Sequence, residues 1–231
     1  MLDDELDWGV YVVTDHDLVG SRPLPTVIAH ALAGGASVVQ LRNKHRPIRE
    51  LYALGVALRD LARAAAVPFI VNDRLDLALA LNADGVHVGQ ADLPAEIVRR
   101  VLGPHRILGV SVETVAHAEQ AALAGATYLG VGAVYATSTK PDANAPIGLD
   151  RLAAIVQATP LPCVAIGGIT LENAAAVMQT GVQGMAVVSA ILSAADPQQA
   201  ARSLREIVQQ HRRPLWADEP AAPNVYPVVI P

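Results

Sequence analysis

A run of hydroxyl side chains closed by a lysine follows an apolar segment near the middle of the chain. Residues 128–134 predict a buried parallel strand, and residues 137–140, Thr-Ser-Thr-Lys, come shortly after it. Short hydroxyl donors beside one ammonium group suit a phosphorylated ligand. The alternative is a polar turn with a solvated lysine. Because Lys44 and Lys140 are the only lysines in the chain, we favour a specific need for a compact ammonium at both positions.

Strand and helix patterns alternate along the chain, and this alternation predicts the fold. Small residues close a helix just before an apolar strand segment four times, as at residues 34–37 and 181–184. Thr114, Thr170 and Asp196 are placed to cap helices. Four further apolar segments bring the predicted strands to eight, alternating with eight helices. This pattern indicates a parallel sheet, and eight units favour an α/β fold of the (β/α)8 TIM-barrel type over an open doubly wound sheet.

The barrel pattern ends before the carboxyl terminus. We predict a single TIM-barrel catalytic domain over residues 1–213. Residues 214–231 contain five prolines and show no periodicity, which predicts a Pro-rich tail that is disordered or packed on a neighbour. A homo-oligomer is compatible with the sequence.

Composition argues against several classes of partner. Hydrophobic residues make up 52% of the chain, but Gly, Asp, Arg or Pro interrupts each apolar run before it reaches membrane-spanning length. The net charge is −5, aromatic residues are only 3% and no basic stripe occurs, so we expect neither a membrane nor a nucleic-acid partner. No secretory signal is recognisable, and we expect a cytoplasmic location. The single cysteine, Cys163, lies in an apolar run and is interpreted as a packing residue.

Charged side chains gather at the carboxyl ends of the predicted strands, which share one rim in a barrel. Arg42, Lys44 and Lys140 together would neutralise a diphosphate. Asp73 and Asp92 would hold a divalent cation, since Mg²⁺ usually takes one or two carboxylates and completes its shell with phosphate oxygens and water. Alternatively, each aspartate caps the helix that follows it.

A second predicted anion site follows the seventh and eighth strands. Gly167 and Gly168 let the backbone approach a ligand, and the amides that open the next helix would point at it. Val188 and Ser189 would close this pocket from the eighth strand. The alternative is that the double glycine serves a tight turn only. Two anion sites on one rim suggest two phosphorylated substrates, or one substrate with a phosphate at each end.

Two neutral polar residues lie between the predicted anion sites. Gln40 and His87 offer hydrogen-bonding groups suited to the edge of a heterocycle. A histidine on a strand is also common as a satisfied core residue, so both interpretations of His87 stay open here.

With these residues in view, the sequence resembles the thiamin-phosphate synthase family from about residue 8 to residue 208. The resemblance rests on motifs at every predicted strand end after the first, namely Gln40-Leu41-Arg42-Asn43-Lys44, Asn72-Asp73, Asp84-Gly85-Val86-His87-Val88-Gly89-Gln90 with Asp92, Gly109-Val110-Ser111, Thr137-Ser138-Thr139-Lys140, Gly167-Gly168-Ile169 and Val188-Ser189-Ala190-Ile191. Enzymes of that family condense hydroxymethylpyrimidine diphosphate with a thiazole phosphate, forming thiamin phosphate and releasing diphosphate with Mg²⁺.

The resemblance also implies roles for individual residues. The pyrimidine diphosphate would be bound by Gln40, Leu41, Arg42, Asn43, Lys44, Asn72, Ser111 and Lys140. The thiazole phosphate would be bound by Thr137, Ser138, Thr139, Gly168, Val188 and Ser189. Asp73 and Asp92 would bind Mg²⁺, and the implied catalytic residues are Arg42, Lys44, Ser111 and Lys140. The chain departs from the family where Asn43 replaces a usually acidic residue and Ala136 replaces a frequent proline.

Two other functions are compatible with parts of this pattern. A thiazole tautomerase of the same fold would use Gly168 and Ser189, but it has no need of two carboxylates beside Arg42. A non-catalytic protein that binds a phosphorylated heterocycle would also keep the phosphate pocket. Mg²⁺-dependent release of inorganic diphosphate would distinguish a synthase from the tautomerase, and tight ligand binding without product would favour the non-catalytic protein.

Overall fold

The computed structural model describes residues 6–137, 139 and 145–211, and its centre is a closed barrel of eight parallel strands. Each strand pairs with the next in chain order, and the first pairs with the eighth. The strands are β1 Val10–Val13, β2 Val38–Leu41, β3 Phe69–Asn72, β4 Gly85–Val88, β5 Ile107–Val112, β6 Tyr128–Val131, β7 Cys163–Ile166 and β8 Gly184–Val187. The predicted (β/α)8 TIM barrel is confirmed.

Helices alternate with these strands and surround the barrel. Within the described ranges they are α1 Leu24–Ala33, α2 Ile48–Ala64, α3 Leu75–Ala80, α4 Ala95–Leu102, α5 Val115–Leu123, α6 Gly148–Gln157, α7 Ala174–Met178, α8 Ser189–Leu192 and α9 Pro197–His211, with a 3₁₀ helix at Asp17–Val19. None of the helices in these ranges is long and apolar enough to cross a membrane. The predicted tail, residues 214–231, and the predicted domain boundary lie outside the described residues.

Two of the three predicted helix caps are confirmed. Thr114 accepts a hydrogen bond from the His117 amide at 3.1 Å, and the Asp196 carboxylate accepts one from the Gln199 amide at 3.0 Å. The Thr170 prediction is wrong, because α7 begins only at Ala174. Asn173 holds the intervening turn by accepting from the Thr170 amide at 2.9 Å and donating to the Gly168 carbonyl at 2.9 Å.

The strand predicted over residues 128–134 is shorter than expected. It ends at Val131, and the chain then leaves the barrel wall to follow the segment after β7. Val134 donates its amide proton to the Ile166 carbonyl at 2.9 Å, and Tyr135 donates to the Gly167 carbonyl at 3.0 Å. The sheet therefore ends before the apolar run does. Val134 is apolar because its side chain is fully buried beyond the end of the strand.

The apolar core has two layers, which alternate along each strand. Side chains that point outward pack between the sheet and the helices, as Val39 and Leu41 do in β2. Those that point inward fill the barrel, where Trp8 stacks on Tyr128 with ring centroids 4.4 Å apart. Large apolar side chains thus fill the interior below the level of Gln40, and polar side chains occupy the strand ends.

The buried thiol in β7 gives a first testable prediction about stability. Cys163 is fully buried, and its burial raises the pKa of the thiol to about 12. Because an unfolded cysteine has a pKa of about 8.5, thiolate formation favours unfolding, and the free energy of unfolding should fall as pH rises above that value. We expect an aromatic disulfide reagent to label native protein at pH 8 far more slowly than protein in denaturant. Rapid stoichiometric labelling of the native state would contradict this burial.

Candidate active site

A cavity of about 360 Å³ opens at the carboxyl ends of the strands. Most of the predicted site residues line it: Gln40, Arg42, Lys44, Asn72, Asp73, His87, Asp92, Ser111, Thr137, Thr139, Gly168, Val188 and Ser189. Two further predicted residues, Ser138 and Lys140, lie outside the described residues. The strand ends therefore bring these side chains to one rim, as the barrel topology requires.

Two predicted substrate-binding residues have side chains away from the cavity. Leu41 is 2% exposed and packs in the outer layer, because strand alternation turns it opposite to Gln40. The Asn43 side-chain oxygen accepts hydrogen bonds from the amides of His45 at 3.0 Å and Arg46 at 2.8 Å. The Leu41 side chain thus stabilises the outer core, and the Asn43 side chain shapes the turn that presents Lys44; substrate binding by these two residues stays a prediction.

The two aspartates at the cavity form a close carboxylate pair. Burial, followed by hydrogen bonding to and repulsion from Asp92, raises the pKa of Asp73 to about 6, against the opposing charges of Lys44 and Arg42. A raised carboxyl pKa means that the nearby positive charges do not fully offset burial and the repulsion between the two carboxylates. The donor set suits Mg²⁺, which accepts two carboxylates and takes its remaining ligands from phosphate and water.

Neither aspartate caps a helix, so the capping alternative is wrong. The N-cap positions of α3 and α4 are Arg74 and Pro94, and neither helix has a side-chain cap. The Asp92 carboxylate instead accepts from the Gly89 amide at 2.7 Å within its own loop. Asp73 adopts a φ of 60°, which is uncommon outside glycine, and its amide donates to the His87 carbonyl at 2.8 Å. Strained backbone held in this way is typical of functional sites.

Arg42 is held at the rim by an arrangement that the sequence did not reveal. The Thr14 hydroxyl accepts from the Arg42 amide at 2.9 Å and donates to its carbonyl at 3.2 Å, which anchors the backbone. The guanidinium lies 3.7 Å from the Asp15 carboxylate, and both side chains are less than one-fifth exposed. Arg42 therefore stays positioned near the cavity before any anion arrives.

The wall of the cavity contains a chain of hydrogen bonds across five strands. Gln40 donates to the Tyr11 hydroxyl at 2.7 Å, and that hydroxyl lies 2.8 Å from the Tyr128 hydroxyl. His87 lies 2.8 Å from Tyr128 through Nδ1 and 2.9 Å from the Ser111 hydroxyl through Nε2. His87 is therefore a hydrogen-bonded core residue, since it is only 8% exposed, and it also lines the cavity, where a heterocycle would bind. Sequence reasoning missed both tyrosines, because aromatic residues also fit an apolar strand pattern.

The double glycine after β7 has a packing role as well as a place at the cavity. Gly167 and Gly168 have φ values of 100° and 65°, and a Cβ at Gly168 would lie 2.7 Å from the Tyr135 Cβ. The expected helix N-terminus is absent there, because α7 begins at Ala174. Instead, the short helix α8 begins at Ser189, which also lines the cavity.

A family model, curated relatives and a solved structure all assign this chain to the same family. A family model described as thiamine monophosphate synthase matches residues 10–191. A protein of Roseiflexus sp. (strain RS-1) named thiamine-phosphate synthase is 55% identical over 199 residues, covering 86% of this chain and 84% of the relative. A protein of Moorella thermoacetica with the same name is 53% identical over 205 residues, covering 89% of this chain and 98% of the relative. The solved thiamine phosphate pyrophosphorylase from Pyrococcus furiosus has a TM-score of 0.81 at 41% identity, covering 89% and 97% of the two chains.

Proposed function

The chain belongs to the thiamine monophosphate synthase family, and we propose that its barrel mouth binds 4-amino-2-methyl-5-hydroxymethylpyrimidine diphosphate and a thiazole phosphate. The protein is a transferase of thiamin biosynthesis that joins these substrates into thiamin phosphate and releases diphosphate. The observation that supports this assignment best is the Asp73–Asp92 pair, which lines the same cavity as Arg42 and Lys44. Two carboxylates beside two cations suit a metal-bound diphosphate.

The departing diphosphate would be held between the carboxylates and the cations. We propose that Asp73 and Asp92 bind Mg²⁺, which when bound would neutralise charge on the diphosphate oxygens. Arg42 and Lys44 would contact the same oxygens, and Lys140 would add a third cation by family resemblance. Asn72 and Ser111 line this part of the cavity and would donate hydrogen bonds to the substrate.

The thiazole phosphate would occupy the opposite part of the rim. Thr137 and Thr139 line the cavity beside Gly168, Val188 and Ser189, and Ser138 joins this set from the sequence motif alone. A thiazole nitrogen has a lone pair and no proton to lose, so its attack on the pyrimidine methylene carbon needs no general base. The protein would act mainly by positioning both substrates and stabilising the negative charge of the leaving group.

Product analysis tests this function. Purified protein incubated with both substrates and Mg²⁺ should form thiamin phosphate and diphosphate in equal amounts, and a chelator should stop both. Consumption of neither substrate would contradict the proposal and leave a binding protein as the explanation. Isomerisation of the thiazole phosphate without release of diphosphate would instead identify a tautomerase.

We also propose that this reaction takes place in the cytoplasm on free small molecules. Both substrates carry phosphate groups, whose charges an apolar membrane excludes, so the enzyme and its suppliers must share a compartment. The aromatic wall and the charged rim suit small phosphorylated heterocycles.

A further inference from the structure

The loop that joins β1 to α1 anchors the short helix that follows β8. Arg22 in this loop donates from Nη1 to the Ala194 carbonyl at 2.7 Å and from Nη2 to the Leu192 carbonyl. Its Nε atom donates to the Val19 carbonyl at 3.1 Å within its own loop. All acceptors of Arg22 among the described residues are therefore carbonyls. One guanidinium thus joins two segments that are 170 positions apart in the chain.

The helix α8 is too short to hold its own position. It has only four residues, Ser189–Leu192, and a helix of this length is not stable by itself because nucleation costs more than its few hydrogen bonds return. The carbonyls that end a helix also lack partners within it. The fully buried side chains of Ile191 and Leu192 fix one side of α8, and Arg22 binds the carbonyls at its end. The position of α8 therefore depends on Arg22 as well as on packing.

Backbone hydrogen bonds connect the anchored end of α8 to the cavity. The Leu192 amide donates to the Val188 carbonyl at 2.9 Å, and the Ser193 amide donates to the Ser189 carbonyl at 3.0 Å. Val188 and Ser189 both line the cavity. Because the Leu192 carbonyl accepts from Arg22 while the Leu192 amide binds Val188, a shift of this end of α8 would move residues of the cavity wall.

The loop after β1 is fixed at both of its ends. Near its start, the Thr14 hydroxyl forms hydrogen bonds with the Arg42 backbone, beside the proposed diphosphate site. Near its end, Arg22 binds the end of α8, and the Ser193 hydroxyl adds a further bond to the Leu18 carbonyl at 3.3 Å. The two attachments are independent, so loss of the second should leave the diphosphate side of the cavity in place.

We propose that Arg22 is a positioning residue for the thiazole phosphate: by holding the end of α8, it fixes Val188 and Ser189 where that phosphate would bind. Arg22 is not among the described residues that line the cavity, so it acts through α8 and not by contact with the substrate. The role toward the phosphate rests on the proposed function, whereas the anchoring of α8 does not.

A second arginine supplies a matched control at the opposite end of the barrel. The Arg99 guanidinium donates to the carbonyls of Gly103 at 2.7 Å, Arg106 at 2.8 Å and Gly125 at 3.0 Å. These residues come before β5 and β6, at the amino ends of the strands, and they are absent from the cavity lining. Arg22→Gln and Arg99→Gln each remove a guanidinium from backbone carbonyls, but only Arg22→Gln releases α8.

Steady-state kinetics separate positioning from a general loss of stability. The thiazole phosphate group takes no part in bond breaking, so its contacts should contribute equally to the ground and transition states and appear in KM. We expect Arg22→Gln to raise KM for the thiazole phosphate by about tenfold, with kcat and KM for the pyrimidine diphosphate within about threefold of wild type. Arg99→Gln should lower the melting temperature and leave both KM values near wild type. An unchanged KM for the thiazole phosphate in Arg22→Gln, or an equal rise in both KM values, would overturn the proposal.

A charge-conserving variant separates geometry from charge. Arg22→Lys keeps the positive charge, but a single ammonium has no planar fork with which to bind two segments. We expect KM for the thiazole phosphate to stay several-fold above wild type in this milder variant. A wild-type KM in Arg22→Lys would show that charge alone is sufficient and would overturn the positioning role.

Hydrogen exchange measured by NMR tests the anchor without any substrate. The amides of Leu192 and Ser193 should exchange about tenfold faster in Arg22→Gln than in wild type, and at the wild-type rate in Arg99→Gln, under conditions in which all three proteins are folded. Unchanged exchange in Arg22→Gln would overturn the anchoring. Faster exchange in a protein that forms no thiamin phosphate would refute the proposed function and leave the anchor intact. Formation of thiamin phosphate by Arg22→Gln with a wild-type KM for the thiazole phosphate would refute the positioning role alone.

Discussion

Replacing Asp73 with Asn is expected to lower Mg²⁺-dependent turnover by about 10³-fold, because it removes one of two carboxylates that would bind the metal. The same change should raise the melting temperature measured without Mg²⁺ by about 2–4 °C. Asp92 repels the Asp73 carboxylate, and the substitution removes that repulsion. Asn also tolerates the φ of 60° at this position, so the loop should keep its shape.

The gain in stability should depend on pH in a defined direction. Folding raises the pKa of Asp73 from 3.8 to about 6, so ionisation of this group destabilises the folded protein as pH rises through that interval. The Asp73→Asn variant should therefore be more stable than wild type above about pH 6, and this advantage should disappear below about pH 4. Thermal unfolding at pH 4 and pH 8 measures the difference.

A nearby aspartate provides the control. Asp76 is exposed, lies outside the cavity lining and pairs with Arg74 at 2.6 Å, which lowers its pKa. Asp76→Asn removes the same charge three residues away and should leave turnover within about twofold of wild type. Wild-type Mg²⁺ dependence in Asp73→Asn, or a lower melting temperature, would contradict the metal site proposed here.

Replacing Arg42 with Gln should lower kcat/KM by about 10²–10³-fold, the range found when one donor to a developing oxyanion is lost. The fold should survive, because the Thr14 hydroxyl forms its hydrogen bonds with the Arg42 backbone, and the substitution leaves these bonds in place. Steady-state kinetics with varied pyrimidine diphosphate, together with the melting temperature, would measure both effects.

The partner of Arg42 supplies the matched comparison. Asp15→Asn removes the carboxylate that lies 3.7 Å from the guanidinium, and so removes a negative charge beside the proposed diphosphate site. We expect it to tighten diphosphate binding by a few-fold, opposite in sign to the Arg42 change. Turnover of Arg42→Gln within threefold of wild type would argue that this guanidinium does not contact the substrate.

The positions of the site residues could be predicted because the carboxyl ends of all strands in a parallel barrel lie at the same rim. Once eight strands are recognised, Asp73 and Asp92 must lie on the same rim, although they are 19 positions apart in the chain. Side chains alternate along a strand, so the sequence already predicted that the Leu41 side chain points away from the Gln40 side chain. The family motif was carried over as a block of consecutive residues, and it did not take this alternation into account. The error at Thr170 arose because the Asn173 side chain accepts a local hydrogen bond from the Thr170 amide and the helix begins only after Asn173, which no periodicity reveals.

The pairs that cross the barrel could not be read from the sequence. Tyr11 and Tyr128 are 117 residues apart, and their contact depends on how far each phenol extends into the barrel interior. Asp15 lies in the loop after β1, so its approach to Arg42 depends on the course of that loop. Glycines opposite large inward residues, such as Gly109 opposite Tyr128, are the sequence signal that would have helped.

Calorimetric titration of inorganic diphosphate with and without Mg²⁺ tests the central claim most directly. If the mouth of the barrel holds a metal-bound diphosphate between the Asp73–Asp92 pair and Arg42 with Lys44, Mg²⁺ should tighten binding at least tenfold in the wild type and little in Asp73→Asn. Equal affinity for diphosphate in Mg²⁺ and in chelator would contradict it.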